Sequence, residues 1–286
     1  MTAAVAYMEA GGERRHIARL IRYFGDKALA EIDQAAIDEA AIKLFPRGAP
    51  DYRNRAVYTP ISAILHHRLG DKCPAIRRPK GSKGRQRTAF LWPDDAFKII
   101  GEAEKIDAEF GLYLRLLIST GIRKGEGLKL LRQDVQPEAR MAWLWDSKNE
   151  DPRMLRLRQD LVGPLEVHIA ATDGHRLFRF HDGGHFKHLL TRARMAASGL
   201  PCPVRRPVKW REPPHSLRFA SFHIFRHSWA TWFRIYAGGD VEGLVATRNW
   251  RDPRSAARYA HVVARAEWER VDDMPGTGTG RGKKTA

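Results

Sequence analysis

A short basic segment divides this sequence into two parts that cannot share one uninterrupted hydrophobic core. RRPKGSKGRQR, residues 77–87, contains six Lys or Arg side chains, two glycines and no apolar anchor. Its like charges repel one another unless an anion screens them. We therefore expect a linker between two domains that also lies on phosphate groups. The side chains expected to lie on phosphate are Arg77, Arg78, Lys80, Lys83, Arg85 and Arg87.

The residues ahead of this linker, 1–76, carry apolar side chains at helical spacing and show no strand-like alternation. Asp33 is suited to cap the N-terminus of a helix, and Gly25 and Gly48 interrupt the pattern. Pro60 should begin or kink a helix rather than lie inside one. The pattern predicts a small helical bundle.

The residues after the linker, 88–271, predict a second domain in which helices surround one β-hairpin. Helices are expected after Pro93, up to Gly121, and over about 183–198, 222–237 and 253–270. Two alternating runs, 141–145 and 154–158, flank a polar turn and predict the hairpin. The fold class is therefore mainly α with a small β-sheet (α+β). Residues 272–286 are of low complexity, and we expect them to be disordered.

The charge of the chain indicates a polyanionic partner. It has 50 Lys and Arg against 33 Asp and Glu in 286 residues, a formal charge of +17. Nucleic acid fits that excess better than a membrane surface, because no long amphipathic helix with a Lys/Arg face stands out. Two cysteines far apart support neither a disulfide framework nor a zinc finger. With no signal peptide and no apolar run of membrane-spanning length, we expect a cytoplasmic protein that does not bind membranes.

Four separated segments carry groups that can hold or attack a phosphate. They contain Arg123 with Glu126, Lys148 at the expected hairpin tip, His223-Ile224-Phe225-Arg226-His227, and Trp250 with Tyr259. Each segment alone has an ordinary structural explanation. His223 and His227 also have the spacing of metal ligands, with His215 as a third candidate. The Glu of an HExxH zinc motif is absent, however, so we expect no metal.

Taken in this order and spacing, the segments resemble the tyrosine recombinase (phage integrase) family. The family's TGxR motif reads Thr120 to Arg123, its HxxRH box reads His223 to His227, and its RYAHV ending reads Arg258 to Val262. Ser147-Lys148-Asn149 resembles the lysine-bearing turn. The Gly-His pair of the family is replaced by Asn249-Trp250. The resemblance is strong over about 88–270 and weaker in the N-terminal part.

The resemblance implies a helical core-binding (DNA clamp) domain over residues 1–76 and a catalytic domain over 88–271, of the kind shared with type IB topoisomerases. Tyr259 would attack a DNA phosphodiester and form a 3′-phosphotyrosyl bond, without metal, ATP or any cofactor. In this scheme Arg123 and Arg226 hold the phosphate, His223 takes the proton, Lys148 protonates the leaving oxygen, and the Trp250 indole N–H donates to phosphate. Glu126 orients Arg123, and His227 lies behind the site, bonded to backbone or to a carboxylate.

The implied partner is double-stranded DNA, bound by a homotetramer on paired sites, with a protein that can be monomeric when free. The implied role is site-specific recombination or integration for a phage or mobile element, in association with the nucleoid. Two alternatives remain open. One is a topoisomerase-like enzyme that relaxes DNA, and the other is a catalytically silent DNA-binding protein of the same fold.

Overall fold

A computed structural model of the protein describes residues 2–84, 89–145 and 152–262. The chain forms two compact units, residues 1–87 and 88–286. The described residues are mostly helical, with one three-stranded sheet. The predicted fold class, mainly α with a small β-sheet, is confirmed. No helix within the described ranges is both long and apolar enough to cross a membrane.

The N-terminal unit is a helical bundle around a core that includes Leu20, Ile37, Val57 and Leu65. Asp33 caps the third helix through a 2.8 Å bond from the Ala36 amide. The helices are α1 (Thr2–Glu9), α2 (Ile17–Phe24), α3 (Gln34–Leu44), α4 (Pro50–Arg53) and α5 (Thr59–Leu69).

Pro60 is the second residue of α5, directly after a π-helical turn over Asn54–Tyr58. Proline lacks an amide hydrogen, so it is tolerated in a first turn but not in a helix interior. The widened turn lets one continuous helical path, from Pro50 to Leu69, accommodate the proline.

The described part of the basic segment, residues 77–84, is held against the N-terminal unit. The Gln34 side chain accepts a 2.9 Å bond from the Arg77 amide and donates to the Arg77 carbonyl at 3.2 Å. Asn54 donates to the carbonyl of Ser82 at 3.4 Å. The segment is therefore not an untethered spacer over these residues, although its cations remain exposed.

The C-terminal unit surrounds a central helix, α7, which is buried along most of its length. This helix packs against α6 and α11, and α10 packs on α6. The helices are α6 (Pro93–Ile106), α7 (Ala108–Thr120), α8 (Lys124–Lys129), α9 (Gln159–Ala171), α10 (Gly184–Ala197), α11 (Phe222–Ala237), α12 (Val241–Ala246) and α13 (Pro253–Ala256).

Three antiparallel strands form the sheet in the order β1 (Val135–Gln136), β2 (Met141–Leu144) and β3 (Arg153–Arg156). Leu144 pairs with Arg153 and Met141 with Arg156, so β2 and β3 form the hairpin expected from the alternating pattern. The turn between them, 146–151, lies outside the described residues.

Helices α9, α12 and α13 differ from the sequence-based expectation, which did not include α12. Helix α9 was not predicted, because Pro164 lies inside it and reads as a helix breaker. Over the described part of the helix expected from 253 to about 270, residues 253–262, the structure has α13 followed by a 3-10 turn over Ala257–Tyr259. Residues 263–286, including the expected tail, lie outside the described residues.

Candidate active site

Helix α11 carries three of the candidate residues, and its apolar side chains fix its rotation. The Trp232 indole donates to the carbonyl of Leu91 at 2.9 Å, and the Ser228 hydroxyl accepts from the Leu91 amide at 2.8 Å. These bonds tie the helix to the start of the unit. As a result Arg226 and His227 are buried, whereas His223, one turn earlier, is exposed.

The Arg226 guanidinium holds two chain segments together. It donates at 2.7 Å to the carbonyl of Gly121 and also to the carbonyl of Asn249. Burial, reinforced by the nearby charge of Arg123, lowers the pKa of Arg226 to about 10, so the group stays positive at neutral pH. Two distant turns therefore meet at one fixed cation.

The turn that presents Arg123 depends on a glycine. Gly121 ends α7 with φ of 69°, in the left-handed region that favours glycine. A Cβ at this position would lie 2.6 Å from the ring of Trp229. Only glycine fits both the backbone angle and the close approach of the indole, which explains the TGxR sequence physically.

Glu126 joins two arginines at the start of α8. Its carboxylate accepts from the Arg123 amide at 2.7 Å, the Arg123 guanidinium at 2.8 Å and the Arg153 guanidinium at 2.7 Å. Burial alone would raise the pKa of Glu126, but the hydrogen bonds and charges of Arg153 and Arg123 hold it below its usual value. The Arg123 side chain remains 56% exposed, so it can still meet an anion.

Trp250 packs against three groups of the site. Its ring faces the Arg226 guanidinium at 4.3 Å, stacks on Trp229 at 5.8 Å and meets Tyr259 edge-on at 5.4 Å. Through this cation–π contact and its own burial, the indole fixes the position of the Arg226 guanidinium. The sequence predicted packing and a hydrogen bond from the indole N–H for this position, and the structure adds the contact with Arg226.

Tyr259 is 4% exposed and lies against α11. Its hydroxyl hydrogen-bonds with Nδ1 of His227. We expected His227 to bond to backbone or to a carboxylate, and its bond to the phenol was not expected. It arises because the 3-10 turn after α13 carries the phenol onto the buried side of the helix. Burial, partly offset by the charges of Arg226 and Arg258, raises the pKa of Tyr259 to about 12.

The structure thus brings Arg123, Glu126, Arg226, His227, Trp250 and Tyr259 together, and the ring of His223 contacts that of His227 at 4.4 Å. Lys148, Arg85 and Arg87 lie outside the described residues. Arg77, Arg78, Lys80 and Lys83 belong to the N-terminal unit.

Two residues of this site had no assigned role in the sequence. Asn249 donates from its amide to the carbonyl of Thr120 at 2.8 Å, while its own carbonyl accepts from Arg226. Arg153, on β3, is buried with Glu126. In the sequence, Asn249 and Arg153 are marked only as polar residues beside a motif. Their burial, which reveals their role, depends on tertiary packing.

His215 lies in another cluster. It hydrogen-bonds with Glu212 at 2.8 Å and with the Ser198 hydroxyl at 3.3 Å. Within the described ranges, no group of three or more His, Cys, Asp or Glu side chains could hold a metal ion.

The architecture is that of the tyrosine recombinase catalytic domains. The integrase of transposon Tn1549, in complex with transposon right end DNA, superposes with a TM-score of 0.65 at 14% identity, covering 94% of this chain and 98% of that one. A lambda integrase dimer bound to a core site gives 0.59 at 18% identity, covering 82% and 89%. XerA recombinase gives 0.50 at 18% identity, covering 96% and 98%.

The family model for the phage integrase family matches residues 89–265, well over half of the 286-residue chain. The chain therefore belongs to the phage integrase family. Curated protein sequences give no match.

Proposed function

We propose that this chain is a site-specific DNA recombinase that cuts and rejoins strands through a covalent 3′-phosphotyrosyl intermediate, without metal or ATP. One observation carries the proposal. Arg226 bonds to the turn that presents Arg123, and the hydroxyl of Tyr259 bonds to the residue next to Arg226. A nucleophile and two cations from distant parts of the sequence thus share one site.

The two arginines stabilise the charge of the reacting phosphate. A phosphodiester under attack gathers negative charge on its non-bridging oxygens, and guanidinium groups offer planar pairs of donors to such oxygens. Arg226 is held by backbone carbonyls and Arg123 by Glu126, so both are positioned before DNA arrives. Preorganised charge of this kind replaces the metal ions of other phosphoryl-transfer enzymes.

The nucleophile must lose a proton during attack, because a phenol with a pKa near 12 is neutral at pH 7. His227 is the group in contact with that hydroxyl. We propose that His227 takes the proton and that His223, exposed and packed on its ring, contacts the phosphate or passes the proton to solvent. Lys148 remains the proposed donor to the leaving 5′-oxygen.

Tyr259 must also move to react. A side chain 4% exposed cannot meet a phosphodiester, so this arrangement is a resting state of the nucleophile. Tyr259 lies in a 3-10 turn that follows a helix of only four residues, so the backbone that would have to move is short. DNA binding would release the turn and present the hydroxyl to the phosphate held by Arg123 and Arg226.

Double-stranded DNA is the proposed partner. The Tn1549 and lambda integrases are bound to DNA, and one lambda integrase structure is a tetramer on a Holliday junction. By analogy we propose a homotetramer on paired sites, a monomer when free, and action at the nucleoid. The cations of the basic segment, residues 77–87, are proposed to lie on the DNA backbone.

A trapping experiment tests the proposal. The protein is incubated with nicked suicide duplexes of randomised sequence, and adducts that survive denaturation are captured and the attached DNA is sequenced. We expect an adduct with the wild type and none with Tyr259→Phe, which keeps the ring but removes the hydroxyl. Failure of the wild type to form any adduct would favour a silent DNA-binding protein.

A second measurement separates recombination from topoisomerase action. A supercoiled plasmid that lacks the captured sequence is incubated with the protein. We expect no relaxation, whereas rapid relaxation of this plasmid would favour the topoisomerase-like alternative.

A further inference from the structure

Residues 201–214 form a loop within the connection between α10 and α11, and this loop exposes four cationic side chains. It reads PCPVRRPVKWREPP and contains five prolines. We call it the proline-rich loop. Its exposed cations are Arg205, Arg206, Lys209 and Arg211. Proline fixes one backbone angle at each of its positions, so this loop has few alternative conformations to lose on binding.

The only carboxylate of the loop faces inward. Glu212 accepts from the Arg194 guanidinium at 2.7 Å and pairs with His215 at 2.8 Å. Burial alone would raise the pKa of Glu212, but the bonds from Arg194 and His215 hold it below its usual value, so its charge is satisfied there. Within the part of the chain that the structure describes, no carboxylate lies within 4.0 Å of the four exposed cations.

Several bonds fix the loop to the body of the unit. The His188 ring pairs with the carbonyl of Pro203 at 2.9 Å and meets the Trp210 ring edge-on at 6.1 Å. Within the loop, Arg206 lies over the same Trp210 ring at 4.9 Å. Arg194, which holds Glu212, also donates to the carbonyl of Ala220 at 2.7 Å. Ala220 lies two residues before α11, so the loop is anchored to the helix that carries Arg226.

Two apolar side chains stand out from this charged surface. Val204 is 71% exposed and Val208 is 104% exposed. Isolated exposed valines are common, but these two lie beside cations on a loop that contains five prolines. Cations beside small apolar groups fit the edge of a DNA minor groove, where phosphates flank the hydrocarbon surface of the sugars.

We infer that the proline-rich loop is a DNA-binding element outside the cleavage site. Its four cations pair with backbone phosphates, and its two valines pack on deoxyribose in the minor groove of the flanking duplex. The inference rests on the proposed function, since it requires DNA as the partner. It gives the catalytic unit a second DNA contact, in addition to the phosphate held by Arg123 and Arg226.

Salt-dependent binding tests this inference. Affinity of the full chain for a short fluorescein-labelled duplex of arbitrary sequence is measured by anisotropy over a range of KCl concentrations. For Arg205→Ala/Arg206→Ala we expect the slope of log affinity against log salt to fall by about 2, with a loss of roughly ten- to a hundredfold near 0.1 M salt. Lys98→Ala/Lys105→Ala, on α6, removes the same charge elsewhere and serves as the matched control.

The valines are tested separately. Val204→Ser/Val208→Ser should weaken binding several-fold without changing the salt slope, because no charge is lost. An unchanged affinity would overturn the groove contact. Equal slopes for the arginine variant and the wild type, or equal losses for the arginine variant and the α6 control, would overturn the loop as a DNA-binding element.

The two proposals fail in different ways. If the wild type binds duplex and forms the Tyr259 adduct while both loop variants bind normally, only the loop inference is wrong. If the wild type neither binds duplex nor forms the Tyr259 adduct, the proposed function is wrong.

Discussion

The hydroxyl of Tyr259 and Nδ1 of His227 form a hydrogen bond in the interior of the C-terminal unit. Both side chains are buried, and His227 directly follows Arg226 on α11. The proposed nucleophile therefore rests against an imidazole that can take its proton, while the ring of the more exposed His223 contacts the His227 ring at 4.4 Å.

Replacing His227 should expose its chemical role. We expect His227→Gln to slow single-turnover adduct formation at pH 7 by roughly 10²–10⁴, since Gln can form the hydrogen bond but cannot take a proton. The rate should recover as pH rises toward the pKa of the phenol, because hydroxide then removes the proton. His185→Gln, at an exposed position of α10 that has no part in the proposed chemistry, is the matched control. A pH profile for His227→Gln parallel to that of the wild type would contradict this role.

Trp250 should act through its ring face rather than its N–H. Trp250→Phe keeps an aromatic face for Arg226, whereas Trp250→Ala removes both the face and the packing with Trp229. We expect the Phe variant to retain most of the adduct-forming rate. The Ala variant should lose stability by about 3–5 kcal/mol and most of its activity. Equal loss in the two variants would instead indicate that the indole N–H is the essential group.

Gly121→Ala should destabilise the protein by about 2–4 kcal/mol, from the left-handed backbone and the collision with Trp229. The free energy of unfolding from denaturant titration measures this. Gly101→Ala is the control, because Gly101 lies within α6 with no atom within 4 Å of an added Cβ. That variant should be stabilised by about 0.5–1 kcal/mol. A neutral Gly121→Ala would mean that the turn can relax.

Glu126 should make stability depend on acid pH. Its pKa is lowered in the folded state, so its contribution is complete above the unfolded-state pKa of about 4.3 and is lost as pH falls through the lower folded value. In Glu126→Gln this part of the acid destabilisation should disappear, while stability at pH 7 falls because Arg153 loses its buried counter-charge. Melting temperatures measured from pH 7 to pH 3 test both effects. Parallel curves for the two proteins would contradict them.

Tyr259 should ionise at a higher pH than an unfolded tyrosine, and its ionisation should lower the stability of the fold in alkali. Its folded pKa, about 12, exceeds the unfolded value of about 10. Stability from this group is therefore complete below pH 10 and is lost as pH rises toward 12. The difference in phenolate absorbance between the wild type and Tyr259→Phe isolates this residue from the other tyrosines. A midpoint near 10 in the folded protein would show that the phenol is solvated.

Sequence patterns predicted the elements that carry strong local signals, and they missed the short α12 and β1. Helix α6 begins at Pro93 and α7 ends at Gly121, as the local residues predict, because capping and backbone restriction act over a few residues. Helix α9 was missed because Pro164 contradicts its periodicity, and only packing of Leu161 and Leu165 into the core overrides that local signal.

The motif residues themselves, with their order and spacing, came from the sequence, and so did the family. What the sequence could not determine is which group each residue touches. His227 bonds to Tyr259, Arg153 pairs with Glu126, and Asn249 bridges two turns only because α11, β3 and the turn after α12 meet in space. Side-chain partners that are distant in sequence are set by tertiary packing, and burial then decides which of these groups are charged, neutral or exposed.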